Sequence, residues 1–371
     1  MERQAKSKLL RINTLRGSYK GKWEEIRASH FIPSRRCYHS ASIYKDSIII
    51  YGGQDLSEGV FDDMWVFNFN REKPSQERWY QINGEGECPG NLCRHTSIVY
   101  NDEMYIFGGT DGSTENNYIF VLNFNGYIWR KIAGDVPAID SHVAVVYNSK
   151  MIVFGGYIGG NLINDTYVFD IPTSNWTLAN INSKPEERVD HTGVLYDNSM
   201  WVYGGKGIDG PFDDLWKLDL DAFLWTKIQY NGSSPGIVSG HSACAYGDVM
   251  FIFGGAHDIL KETNEMYTYD FVNNNWVLIQ TETLIDDPVT PVDVDHFNAK
   301  LKRKEHHLEP GKINLYNGPA SPLQGRIKGK IPYSRDGHSA NLYENYMIIF
   351  GGDRHQVSFN DLYSFSVKEK S

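Results

Sequence analysis

Residues 39–53 read HSASIYKDSIIIYGG, and this pattern of a histidine, two short apolar runs and a Gly-Gly pair recurs along the chain. An apolar run ends in Gly-Gly six times, with the second glycine at Gly53, Gly109, Gly156, Gly205, Gly255 and Gly352. A histidine lies 13 residues before the first glycine of every pair, at His39, His95, His142, His191, His241 and His338. A fixed period of this kind is typical of repeat architectures. The sequence therefore predicts six copies of one structural unit.

Each unit contains four segments of strand length. After the Gly-Gly pair comes a polar stretch, and then an acidic or amide residue leads an aromatic-rich run, as in DDMWVF from Asp62 and DDLWKLD from Asp213. A tryptophan then follows in five repeats, at Trp79, Trp129, Trp176, Trp225 and Trp276. Short runs of β-branched and aromatic residues favour antiparallel strands joined by hairpins. One such sheet cannot bury both of its faces alone, so we expect the sheets to stack radially.

The signature HS-x11-GG, then D/N-D-L-Y, then Trp, resembles kelch repeats from about residue 22 to residue 367. The resemblance implies an all-β fold, a six-bladed kelch β-propeller with four antiparallel strands per blade. The sixth repeat ends at Val367 with no tryptophan after it, whereas Trp23 precedes the first repeat. Residues 22–27 are therefore predicted to form the outer strand of the last blade and to close the ring. We expect residues 1–371 to form a single propeller domain.

One segment departs from the repeat. The fifth and sixth Gly-Gly pairs are 97 residues apart, which leaves an insertion at residues 281–330 between blades 5 and 6. Its DHFNAKLKRKEHHLE run predicts a short helix that ends at Pro310 and Gly311, followed by a basic, Gly/Pro-rich stretch. Because this segment lacks strand periodicity, we expect proteases to cut it more readily than the blades.

Composition argues against several classes of protein. The formal net charge of -10 and the pI of about 5.6 disfavour general binding to nucleic acid or to anionic membranes. The N-terminal sequence lacks the apolar core of a secretory signal, and no apolar stretch approaches a membrane span. We therefore expect a soluble, cytoplasmic protein. Its four cysteines are predicted to be free thiols, since the Cys88–Cys93 pair lacks the second pair that a zinc site needs.

Enzymes of similar fold carry marks that this sequence lacks. Nitrile-forming kelch proteins resemble the fold but use a Glu-x3-Asp-x3-His iron motif, and no histidine here follows an aspartate by four residues. Copper radical oxidases and sialic-acid epimerases of the family are exported, and neither a GxSxG nor an HExxH motif occurs. The repeat histidines are predicted to be structural. We therefore predict no catalytic residue, cofactor or metal ligand; an epimerase- or lyase-type enzyme acting on a sugar or small molecule remains the alternative.

Strand alternation places the loops between second and third strands, together with the connections between blades, on one face, which we call the loop face. Loops on a rigid scaffold commonly bind partners. The candidate apolar contacts are Tyr157, Ile158, Phe212, Ile259 and Leu260, for which scattered surface hydrophobes are the alternative. The candidate basic contacts, predicted to bind carboxylates of a partner, are Arg36, Arg188, Arg335, Arg354 and His355. Related propellers commonly hold such arginines in structural pairs with Asp or Glu, and this alternative stays open.

A closer resemblance concerns the first and last blades. The DDMW run at Asp62, the long hairpin before Trp79 and the extended loop before the last blade resemble the kelch domain of the leucine-zipper-like adaptors that recruit cullin-3 ligase to Ras-type GTPases. Those adaptors continue into BTB domains. Because these 371 residues end four residues after the last predicted strand, we expect only the recognition of client proteins to be shared. We predict a protein-protein interaction module, an adaptor whose loop face binds an unknown protein. The resemblance implies a small GTPase or another ubiquitin-ligase client as that partner.

Overall fold

The fold is taken from a computed structural model, which describes residues 20–27, 31–70, 72, 77–134, 136–258, 261–281 and 331–368. Within these ranges the regular structure consists of β-strands, and no helix has the length and apolar character needed to pass through a bilayer. The insertion predicted at residues 281–330, with its helix, lies outside the described residues except for Thr281.

The strands are numbered along the chain and form six antiparallel blades of four main strands each, and the outer strands of blades 5 and 6 also pair in parallel, which joins these two blades into one sheet. Blade 6 contains the first strand of the chain, β1 (Lys20–Glu25), as its outermost strand. Blade 1 contains β2 (Ser40–Tyr44), β3 (Ser47–Tyr51), β6 (Met64–Asn68) and β7 (Trp79–Ile82). Blade 2 contains β9 (Thr96–Tyr100), β10 (Glu103–Phe107), β11 (Ile119–Asn123) and β12 (Ile128–Ile132). Blade 3 contains β13 (Val143–Tyr147), β14 (Lys150–Ile158), β15 (Asn161–Asp170) and β16 (Asn175–Leu178).

The second half of the chain repeats this arrangement. Blade 4 contains β17 (Thr192–Tyr196), β18 (Ser199–Tyr203), β21 (Leu215–Asp219) and β22 (Leu224–Lys227). Blade 5 contains β24 (Ser242–Tyr246), β25 (Val249–Phe253), β26 (Met266–Asp270) and β27 (Asn275–Thr281). Blade 6 is β28 (Ser339–Tyr343), β29 (Tyr346–Phe350) and β32 (Leu362–Lys368), completed by β1.

Small two-stranded ribbons and short added strands complete the sheets. On the loop face, ribbons join the second and third strands of three blades: β4 (Gln54–Asp55) with β5 (Gly59–Val60), β19 (Lys206–Gly207) with β20 (Gly210–Pro211), and β30 (Asp353–Arg354) with β31 (Val357–Ser358). Two short strands pair in parallel with outer strands, β8 (Glu85–Gly86) with β12 and β23 (Asn231–Gly232) with β27.

The first strand of each blade lines the central axis, and these six strands contact one another in a closed cycle. Strand β1 pairs antiparallel with β32 over six residues, from Lys20 opposite Lys368 to Glu25 opposite Tyr363. Trp23 on β1 is 1% exposed. The predicted closure of the ring by an N-terminal strand is therefore confirmed, although the strand begins two residues earlier than expected and ends at Glu25.

An aromatic wedge between every two blades explains the repeat pattern. The outer-strand tryptophan of each blade packs on the aromatic residue that precedes Gly-Gly in the previous blade. The ring-centroid distances are 5.4 Å for Trp79–Phe350, 5.6 Å for Trp129–Tyr51, 4.7 Å for Trp176–Phe107, 4.6 Å for Trp225–Phe154, 4.9 Å for Trp276–Tyr203 and 4.8 Å for Trp23–Phe253. Since these rings bury large apolar areas, we infer that they contribute much of the contact energy between blades.

The Gly-Gly pairs allow the backbone to approach closely both the connection to the next blade and the first strand of the same blade. Gly52 has a φ of 62°, and a Cβ atom there would lie 2.2 Å from the carbonyl oxygen of Leu92 in the connection to blade 2. Gly53 has a φ of 94°, and its Cβ would lie 2.8 Å from that of His39. Only glycine fits both the left-handed backbone and the contact.

Candidate loop-face interaction site

Three of the arginines predicted to meet a partner are fully buried within their own blades. Arg188 is 0% exposed; its guanidinium donates to both carboxylate oxygens of Asp214, at 2.7 and 3.1 Å, and to the carbonyl of Gly204 at 2.9 Å. The same group lies 4.3 Å from the ring centroid of Phe212. Desolvation opposes ionisation of Asp214, but the hydrogen bonds and charge of Arg188 lower its pKa. This is a bidentate, desolvated ion pair.

The arrangement recurs in blades 1 and 6. Arg36 pairs with Asp63 and lies 4.4 Å from the Phe61 ring, and Arg335 pairs with Asp361 and lies 4.3 Å from the Phe359 ring. Both arginines are 0% exposed. The expectation that Arg36, Arg188 and Arg335 contact a partner is therefore wrong for this structure, because their guanidinium groups are buried and already bound to an aspartate and to backbone carbonyls inside the blades. The alternative, a structural pair with aspartate, describes all three.

The six repeat histidines lie between blades, as predicted for a structural role. In five of them Nε2 shares a hydrogen bond with a hydroxyl of the preceding blade: His39 with Ser339, His95 with Ser40, His142 with Thr96, His241 with Thr192 and His338 with Ser242, at 2.6–2.9 Å. The sixth, His191, faces blade 3, where the equivalent of the hydroxyl residue is Val143, and among the described residues its Nε2 has no partner. Burial lowers the pKa of each histidine.

At the centre of the loop face, the residues that precede the repeat histidines form a ring around the axis. In five of the six blades the backbone N–H of this residue donates to the carbonyl of its equivalent in the previous blade, at 2.8–2.9 Å, as from Tyr38 to Gly337 and from Arg94 to Tyr38. All six have positive φ values, and four of them, all but Gly240 and Gly337, carry a side chain. The ring fixes the positions of charged groups from different blades relative to one another.

Acidic side chains dominate this mouth. Asp190 is neutralised by Lys206, at 2.8 Å, and by Arg94, at 3.7 Å. In blade 6, Asp336 and Asp353 are joined by two backbone hydrogen bonds of 3.0 and 2.8 Å, and neither forms an ion pair with a cation in the described part of the chain. Burial and the neighbouring Asp353 raise the pKa of Asp336 to about 7. Burial also raises the pKa of Asp353, and Glu262 adds to the effect.

Comparison with known proteins agrees with this architecture. Residues 2–138 and 130–293 match the KLHDC2/KLHL20/DRC7 Kelch-repeats domain family. The chain belongs to the kelch-repeat family.

Among its curated relatives, this kelch chain is similar to the human leucine-zipper-like transcriptional regulator 1, with 30% identity over 266 residues. That alignment spans 68% of this chain but only 31% of the relative. The Drosophila melanogaster homologue of the same regulator is 26% identical over 178 residues, covering 45% of this chain and 17% of the relative. Adagio protein 3 of Arabidopsis thaliana is 24% identical over 177 residues, covering 46% and 28%. The chain thus spans less than a third of the length of these relatives, and none of the three names describes an enzyme.

The remaining predicted contacts of the kelch propeller differ in exposure. Arg354 and His355 are exposed at the turn of the β30–β31 ribbon, where His355 Nδ1 lies 3.1 Å from a carboxylate oxygen of Glu262. Tyr157 and Ile158 are half-buried on the extended β14–β15 hairpin. Phe212 is half-buried against Arg188, so part of its ring supports the ion pair. Ile259 and Leu260 lie outside the described residues.

Several further apolar side chains on the loop face are exposed to solvent. Ile208 is 94% exposed and Leu56 is 71% exposed, each at the tip of a ribbon. Phe31 and Val357 are 55% and 42% exposed. A sequence signal was present for two of them, since Leu56 lies between Asp55 and Glu58 and Ile208 precedes Asp209, both in turn-rich polar stretches. An isolated apolar residue in such a stretch indicates an exposed tip.

The four cysteines are all free, as predicted. Cys37, Cys93 and Cys244 are buried, and burial raises the pKa of Cys93 to about 11. Within the described ranges, no group of three His, Cys, Asp or Glu residues is arranged to hold a metal ion.

Proposed function

We propose that this kelch propeller is an interaction adaptor that binds a partner protein through its loop face. The observation that carries the proposal is the set of apolar side chains presented to solvent on rigid ribbons, above all Leu56 and Ile208. Apolar tips on a preorganised scaffold lose little conformational entropy when they bind. The family match and the similarity to a regulator rather than to a named enzyme support the same function.

The proposed contact surface includes those residues predicted from the sequence that are exposed or half-buried in the structure. Arg354 and His355 on the blade 6 ribbon, and Tyr157 and Ile158 on the blade 3 hairpin, belong to it. Phe212 contributes the exposed part of its ring. Arg36, Arg188 and Arg335 are excluded because they are buried. Ile259 and Leu260 remain candidate contacts outside the described residues.

The class of partner follows from the resemblance to the leucine-zipper-like regulator. We propose a client of a ubiquitin ligase, with a small GTPase as the first candidate, bound in the cytoplasm. The aligned segment covers 68% of this chain and 31% of the relative, so the proposal concerns client binding by the propeller alone.

Two double variants of equal chemistry test the proposal. Leu56→Asp with Ile208→Asp alters the loop face, and Ile128→Asp with Leu224→Asp alters the hairpin turns of the opposite face, where these side chains are 54% and 56% exposed. Proteins captured by the intact chain are quantified by mass spectrometry for wild type and both variants. We expect at least one specific partner to be lost by the loop-face variant and kept by the opposite-face variant. Partners that are kept by the loop-face variant and lost by the other would refute the loop-face assignment.

A further inference from the structure

Blades 6 and 1 and the connections that lead into them present four exposed apolar side chains on the loop face, which we call the apolar patch: Phe31, Leu56, Tyr333 and Val357. All four side chains are exposed, Leu56 most and Tyr333 least, at 71% and 39%. Phe31 is held over Trp65 with ring centroids 4.9 Å apart, and Tyr333 stacks on Phe359 at 6.2 Å. Phe31 and Tyr333 are therefore each held in place by an aromatic ring of the blade beneath them.

The ribbons of the two blades touch beneath this patch. Ser358 on β31 is buried, and its hydroxyl lies 4.0 Å from the sulfur of Cys37 in the connection to blade 1. The same hydroxyl is a hydrogen-bond partner of Asp55 on β4. Leu56 and Val357 therefore project from two ribbons fixed to each other, and one segment of a partner can contact both.

Two carboxylates lie beside the apolar patch without a cation of their own. Asp336 and Asp353 face each other across a backbone bridge, and Asp353 is the nearby charge that acts most strongly on Asp336. The other charges acting on Asp336 are those of Asp190, Glu262 and Lys206, of which Lys206 is already engaged by Asp190. Two partly desolvated carboxylates at close range repel each other, and a cation placed between them relieves that repulsion.

We propose that this patch docks an extended segment of the partner protein in which a Lys or Arg side chain enters between Asp336 and Asp353 while adjacent apolar side chains cover Leu56 and Val357. The proposal rests on the proposed function and adds the chemistry of the partner. Charge complementarity decides the occupant, because an acidic segment would meet two uncompensated carboxylates. The exposed Arg354 at the rim of the patch stays available to a carboxylate of the same partner.

The buried carboxyl group of Asp336 is expected to lower the stability of the fold, and this effect can be measured without a partner. A carboxyl whose pKa is raised by burial destabilises the fold when it is ionised. Replacing Asp336 with asparagine keeps its shape and removes the charge. The variant Asp336→Asn is therefore expected to melt at a higher temperature than wild type above pH 7. A residue kept at the expense of stability is expected to serve binding.

The test uses short random peptides displayed on phage and selected against the intact wild-type chain above the pKa of Asp336. We expect the enriched peptides to carry Lys or Arg next to apolar residues. Their affinity should fall at least about tenfold in the double variant Asp336→Asn with Asp353→Asn. The matched control is Asp209→Asn with Asp213→Asn, which removes two exposed carboxylates of the same face in blade 4. Affinity should be nearly unchanged in this control.

Enriched peptides that are neutral or acidic would overturn the proposal, as would a selection that enriches none. Equal losses in the two double variants would also overturn it, since they would indicate general attraction to an acidic face. The proposed function is judged separately by the loop-face and opposite-face capture variants. It can stand if this proposal fails.

Discussion

Replacing Arg188 with leucine separates a structural arginine from a binding arginine. Leucine is the residue that blade 2 has at the same repeat position, where Leu92 is 2% exposed. The change removes the bonds to Asp214 and to the Gly204 carbonyl, and it leaves Asp214 partly buried with Trp216 Nε1 at 2.7 Å and Lys227 Nζ at 4.0 Å as its partners. Breaking a buried ion pair costs about 3–5 kcal/mol. The remaining partners of Asp214 favour the lower end, about 3 kcal/mol.

The expected change in melting temperature follows from the size of the chain. At about 2.1 cal/mol/K of unfolding entropy per residue, a propeller of this length loses roughly 4–5 °C for 3 kcal/mol. The control is the double variant Arg188→Leu with Asp214→Tyr, which copies Leu92 and Tyr118 of blade 2 and removes both charges. It should recover most of the loss, because replacing both members of a buried pair is often nearly neutral. Calorimetry measures both variants, and a single variant that melts with wild type but captures less partner would refute the structural role.

Three further predictions concern the ring. Trp23→Ala should lower the free energy of unfolding by about 3–5 kcal/mol, because it removes the buried tryptophan of the closing strand. An unchanged midpoint in a denaturant titration would refute the closure of the ring by β1. Val143→Thr should raise that free energy by about 1 kcal/mol, because its hydroxyl can bond Nε2 of His191 as Thr96 bonds His142; destabilisation in the same titration would contradict the geometry. The free energy of unfolding should fall as the pH drops below 6.5. In this range histidines of the unfolded chain bind protons that the folded chain excludes. Folding lowers the pKa of three of them to about 3: His95, His142 and His241. Each contributes a loss of about 1.4 kcal/mol at one pH unit below 6.5, and a pH series of melting curves that stays flat would refute their burial as neutral groups.

The fold could be predicted from the sequence because every blade repeats the same local chemistry. The Gly-Gly pairs mark strand ends, and the tryptophans mark the aromatic contacts between blades. Both patterns can be recognised within a short stretch of sequence. The closing strand could be predicted because Trp23 had no other blade to join. A repeated sequence pattern thus identifies the residues that have the same structural role in every blade.

The candidate site was harder to predict from the sequence, because it depends on the directions and contacts of individual side chains. Arg188 and Arg354 are both arginines near the loop face, yet one is buried against an aspartate and the other is exposed at a turn. Spacing does not reveal the direction of a side chain. The pairing of Asp336 with Asp353 likewise requires knowing that their backbones bridge across 17 residues. These features depend on tertiary contacts.

The most direct test of the central claim places a photoreactive amino acid on each face in turn and identifies what it captures. Among the described residues, position 208 carries the most exposed apolar side chain of the loop face, and position 224 is an exposed apolar site on the opposite face. Binding through the loop face predicts a specific cross-linked protein with the probe at Ile208 and none with the probe at Leu224. The same protein cross-linked at Leu224 and absent at Ile208 would contradict the account.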